Sequence, residues 1–184
     1  MSRGSTALLF AAALAAASPP LAVTAKPGMT WAQAQAWLAG NPAVLKGSVR
    51  RETGGGEGPG GGRARVLAGS LTWVYNAPLG SEGRVLSESY LPEAGGAPIA
   101  NVPAVRALLA AMYGPDVEND FAGARLVASV PTYGSSVVLH FYRAVGAPFG
   151  FELDTQQVTV YAAADLAGAV KQAIRCAKSP ECGE

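Results

Sequence analysis

Apolar residues recur along this chain in two rhythms, one helical and one alternating. In MTWAQAQAWLAGNP, residues Trp31, Ala34 and Leu38 fall on one helical face with Trp37 beside them. Thr30 stands where an N-cap is needed and Gln33 completes the capping-box pattern. Gly40 followed by Asn41-Pro42 is a stop. In NVPAVRALLAAMYGP, Asn101 is the expected cap and Pro103 sits in the first turn. Val105, Leu108, Leu109 and Met112 make a continuous stripe before Gly114-Pro115 ends the helix. The last helical stretch, LAGAVKQAIRCAK, follows Asp165 as cap. It points Leu166, Ala169, Val170, Ala173 and Ile174 inward, and leaves Lys171, Arg175 and Lys178 to its outer face and C-terminal end.

The alternating rhythm predicts strands. AVLKGSVRR begins one, and RVLAGSLTWVYN reads as another, with Leu67, Leu71, Trp73 and Tyr75 on one face and Val66, Ala68 and Val74 on the other. Val85 to Leu91 returns as its hairpin partner. ARLVASV, SSVVLHFYRA, FGFELD and QVTVYA then follow at short intervals as an antiparallel meander. TGGGEGPGGG, residues 53–62, cannot bury apolar surface and is expected to be a flexible loop. The order helix, strands, helix, strands, helix predicts an α+β fold: an antiparallel sheet of hairpins with about three helices packed on one face, and a hint of two similar helix-plus-strands halves. This outline is similar to that of small exported modules such as the tandem domains of secreted β-lactamase inhibitor proteins. The similarity is one of architecture, and architecture does not assign an activity.

The N-terminus sets the compartment. Arg3 precedes an uncharged apolar run, Ala7 to Ala17, and then SPPLAVTA. This is the pattern of a secretory signal peptide cleaved after Ala25. The run is too short for a membrane span, which needs about 20 residues, and Pro19-Pro20 interrupts it. Residues 26–184 are then expected to form a single compact domain in the periplasm or outside the cell. In such an oxidising space the chain's two cysteines, Cys176 and Cys182, are expected to form a disulfide that staples the last helical turn. Their spacing is not the C-x-x-C of thiol oxidoreductases.

Charge and motif chemistry narrow the function. The chain carries 14 basic and 13 acidic residues, and loss of Arg3 leaves an even balance. That balance lacks the footprint of a nucleic-acid or anionic-membrane binder. No later stretch is long enough to span a membrane. His140 is the single histidine, so any Ser-His chemistry must run through it. Ser129, Ser135, Ser136 and Asp154 are the candidate companions, but no nucleophile elbow is present. Asp116, Glu118 and Asp120 cluster in DVEND, where an EF-hand would need Gly at Phe121 and Glu at Val127. Arg50, Arg51, Arg63 and Arg65 flank the glycine stretch, which lacks the G-K-[ST] ending of a phosphate loop. Trp31, Trp37, Trp73, Tyr75, Phe141, Phe149 and Phe151 are expected to fill a core, or else to line an apolar cavity. No metal-ligand set or cofactor fingerprint is recognised. The expectation is an exported, non-catalytic module that binds a protein or cell-envelope component through those arginines or the acidic cluster. The alternatives are a carrier of a small apolar ligand and a small hydrolase centred on His140.

Overall fold

The computed structural model describes residues 27–53, 60–93, 102–114, 124–143, 149–154 and 157–178. In chain order these build α1 (Trp31–Gly40), β1 (Arg50–Glu52), β2 (Gly61–Ala68), β3 (Leu71–Pro78), β4 (Glu88–Pro92), α2 (Val102–Tyr113), β5 (Arg125–Pro131), β6 (Val138–Arg143), β7 (Phe149–Leu153), β8 (Val158–Ala162) and α3 (Leu166–Cys176). The capping box of α1 is formed: the Thr30 amide donates to Gln33 Oε1 at 3.0 Å, and the Gln33 amide donates to Thr30 Oγ1 at 3.4 Å. Asp165, by contrast, has helical backbone angles and makes no side-chain cap, which corrects its expected role. The expected signal peptide, Asn101, the acidic cluster Asp116, Glu118 and Asp120, and Cys182 all lie outside the described residues.

The eight strands form one sheet in the order β1-β2-β3-β4-β8-β7-β6-β5. Every neighbouring pair is antiparallel. The fold is therefore α+β, made of two four-stranded meanders, each preceded by a helix. They meet at their last strands, where Glu88 opposes Val160, Ser89 opposes Thr159 and Tyr90 opposes Val158. Counted outward from this seam, β3, β2 and β1 take the places that correspond to β7, β6 and β5.

Register assigns the faces, because paired residues share a face and successive residues alternate. Ala64, Val66, Trp73, Tyr75, Tyr90, Val158, Val160, Phe149 and Phe151 lie on one face, the core face, and pack with α1 and α2. Val130 and Phe141 lie on the reverse face and form a second, smaller core with Leu166 of α3. The helices are thus divided, two on the core face and one on the reverse, rather than all packed on one face. An apolar stripe shows that a helix must be covered, not which side of a sheet covers it. Gly150 makes room for α3: a Cβ there would lie 2.6 Å from Leu166 Cδ2 and 2.9 Å from the Tyr142 carbonyl oxygen.

Four further expectations change in detail. The single strand read through RVLAGSLTWVYN is β2 and β3, folded back at Gly69, whose φ of 60° suits glycine. The fold-back reverses the alternation, so Val66 sits beside Trp73 in the core while Leu67 is 49% exposed. Of AVLKGSVRR, only its two arginines enter β1. Gly61 and Gly62, expected in a flexible loop, are the first residues of β2, and Gly62 is buried beneath the Trp31 ring. Ile174, expected to face inward, is 43% exposed.

Candidate functional site

The arginines flagged from sequence separate once register is known. Arg50 pairs with Arg63, and Arg65 lies two residues further along β2, so all three occupy the reverse face of the first meander. Arg51 pairs with Gly62 and falls on the core-face side. α3 covers β5 to β7 on the reverse face. Among the described residues, no helix does so over β1 to β3. There the three guanidinium groups, with Gly47, Ser48, Val74 and Glu93, line a shallow groove of about 320 Å³.

The local charges are paired but loosely held. Arg50 Nη2 and Arg63 Nη1 lie 3.1 and 3.3 Å from the same Glu52 oxygen, and Arg65 Nη2 lies 2.5 Å from Glu93 Oε2. These arginine side chains are 63, 41 and 52% exposed. Exposed ion pairs contribute only about 0–1 kcal/mol each, so a partner's carboxylates can replace Glu52 and Glu93 at little cost. Among the described residues, three guanidinium groups face two carboxylates, a positive excess of one. Arginine suits the task, since its planar fork grips carboxylates in pairs of hydrogen bonds.

The hydrolase expectation finds one of its parts. Ser129 and His140 are cross-strand neighbours on β5 and β6, and Ser129 Oγ lies 3.0 Å from His140 Nδ1. A nucleophilic serine also needs its histidine oriented by a third group. Among the described residues Ser129 is the imidazole's polar contact. The Asp154 carboxylate accepts the Gln157 amide at 2.7 Å, and Ser135 Oγ accepts the Val137 amide at 3.1 Å. The aromatic residues bear on the carrier expectation: Trp73, Tyr75, Phe141, Phe149 and Phe151 are at most 1% exposed, and all but Phe141 pack between the sheet and α1 and α2. The space that would hold an apolar ligand is where these rings lie.

A polar cluster that the sequence did not disclose sits inside the main core. Glu88 is fully buried on the core face of β4. The Tyr75 hydroxyl donates to its Oε1 at 2.7 Å, the Tyr113 hydroxyl donates to its Oε2, and the Tyr90 hydroxyl lies 3.2 Å from that of Tyr113. Tyr113 also stacks on Phe149, with ring centroids 4.9 Å apart. The cluster thereby joins α2 to β3, β4 and β7. The available signal was the i, i+2 spacing of Glu88 and Tyr90 within a strand, which puts the carboxyl on the same face as a core ring.

Burial, and after it the Glu88 charge, holds all three phenols well above the usual tyrosine range. In the unfolded chain these phenols ionise near pH 10, so above that pH the unfolded state sheds protons that the folded state retains. Their contribution is fully present below about pH 10 and is lost as pH rises beyond it. Melting temperature should therefore fall steeply between pH 10 and 11.5 after little change from pH 8 to 9.5. A level melting curve through pH 11 would contradict the burial of these three un-ionised phenols.

Among the described residues, no helix is long and apolar enough to cross a membrane, and no three His, Cys, Asp or Glu side chains are grouped to hold a metal ion. The chain matches no family model, no curated protein and no solved structure.

Proposed function

We propose that this protein is an exported, non-catalytic binding module whose reverse sheet face, over β1 to β3, engages an acidic protein or cell-envelope partner. The observation that carries the reading is the convergence of Arg50, Arg63 and Arg65 on a groove where, among the described residues, Glu52 and Glu93 are the carboxylates paired with them. Rim charges of this kind set orientation, partner choice and encounter rate. With tagged protein incubated in envelope extract, Arg63→Glu/Arg65→Glu should reduce retention of the bound partner at least about tenfold, and moderate salt should release it from the wild type. Equal retention by the charge-reversed variant, or retention indifferent to salt, would remove the arginine face from the reading.

The same reading places the mature chain in an oxidising compartment, with a disulfide between Cys176 and Cys182. Its support is the N-terminal pattern and the position of Cys176 as the last residue of α3, where a short bridge opposes fraying and contributes about 2 kcal/mol. Protein recovered from its native compartment should begin at Lys26 and show no titratable thiol when denatured without reductant. A retained Met1, or two reactive thiols, would refute the export assignment.

A further inference from the structure

We infer that the partner presents an acidic amphipathic α-helix to the reverse face of β1 to β3, in the position that α3 occupies on the other half of the sheet. The inference rests on the reading above and specifies the form of the ligand.

The argument begins with strand order. Two meanders joined antiparallel through β4 and β8 put β3, β2 and β1 at the places that correspond, outward from the seam, to β7, β6 and β5. Register carries one reverse face across both sets of strands. The reverse face of β5 to β7 is seated under α3, with Leu166, Ala169, Val170 and Ala173 against Val130, Leu139 and Phe141. The helix that follows the first meander, α2, does not take the corresponding seat. Its Tyr113 is committed to Glu88 and Phe149 on the core face. Among the described residues, the first half therefore has no helix at the place that corresponds to the seat of α3 on the second half.

The chemistry of the open seat differs from that of the filled one. Its centre is modestly apolar: Leu67 is 49% exposed, while Val74 and its cross-strand neighbour Leu91 are half-buried. Arg50, Arg63 and Arg65 flank that centre. Arg63 and Arg65, two apart on a strand, are separated by about 6.6 Å along it. Carboxylates one turn apart on a helix are separated by about 5.4 Å. A helix with glutamates at i and i+4 beside a short leucine stripe thus matches both the spacing and the charge of the groove, and its apolar stripe covers Leu67 and Val74.

The test uses the full chain and three fluorescent peptides of about 18 residues, long enough to form helix in isolation. The first carries a leucine stripe flanked by i, i+4 glutamate pairs. The second is the same peptide with one central residue replaced by proline. The third has lysine for each glutamate. Binding is followed by anisotropy at low salt. The first peptide should bind at least about tenfold more tightly than the second, the third should not bind, and Arg63→Glu/Arg65→Glu should abolish the interaction while melting as the wild type does. Equal affinity for the first two peptides would overturn the helical form and leave the acidic-partner reading standing. No binding by any peptide to the folded protein, or undiminished binding of the first to the charge-reversed variant, would overturn the inference and count against the arginine face itself.

Discussion

Glu88→Ala should destabilise the protein by about 3–5 kcal/mol, which for a domain of this size lowers the melting temperature by roughly 10 °C. The effect comes from what is left behind. Glu88 accepts hydrogen bonds from the Tyr75 and Tyr113 hydroxyls, and each buried donor, once left without its acceptor, costs about 1–3 kcal/mol. The removed atoms also leave a void between β3, β4 and α2. Glu88→Gln should cost distinctly less, because the amide keeps one acceptor oxygen and the tyrosine hydroxyls can turn to accept from its nitrogen. Urea unfolding of the two variants beside the wild type gives the comparison. A Glu88→Ala loss below about 1 kcal/mol would mean that the cluster does not hold α2 to the sheet.

Gly62→Ala should destabilise by about 2–4 kcal/mol, against the usual sign for such a change in a strand, where alanine is favoured over glycine. A Cβ at this position would lie 2.0 Å from Trp31 Cζ3 and 2.3 Å from Cη2. The indole has little room to yield. Trp31 is 7% exposed, and the Thr30–Gln33 capping box fixes the turn that carries it. The ring must leave its seat, and α1 loses its main anchor on β2. Trp31→Ala should then cost far less in the Gly62→Ala background than in the wild type, because the two residues share one contact. Additive losses in this double-mutant cycle, or a stabilising Gly62→Ala, would contradict the packing.

Much of this architecture was legible from residue order alone. The capping box and apolar stripe of α1, the stripe of α2 and the alternation through β5 to β8 each depend on neighbours close in sequence. What escaped depends on partners far away. Tyr113 lies 25 residues from Glu88, and a glutamate in an alternating strand reads as solvated until its two hydroxyl partners are in view. The fold-back at Gly69 is hidden in the sequence because Leu67 and Leu71 fit one alternating face if the chain is taken to run straight. The arginines were visible as a group, but only register could set Arg51 apart from Arg50, Arg63 and Arg65. No apolar period contains the information that α3 lies across the sheet from α1 and α2; a side-chain-free position at Gly150 and the facing rings decide it.

The junction between β4 and β8 has a consequence for assembly. It rests on three opposed residue pairs, whereas β2 and β3 share eight. Each meander closes through hairpin contacts near in sequence, so the junction, which pairs residues about 70 apart, is expected to form after them. A chain that has built both meanders but not yet joined them exposes two strand edges that fit each other. Those edges fit just as well when they belong to different molecules, and crowded refolding therefore favours exchange of halves into a swapped dimer.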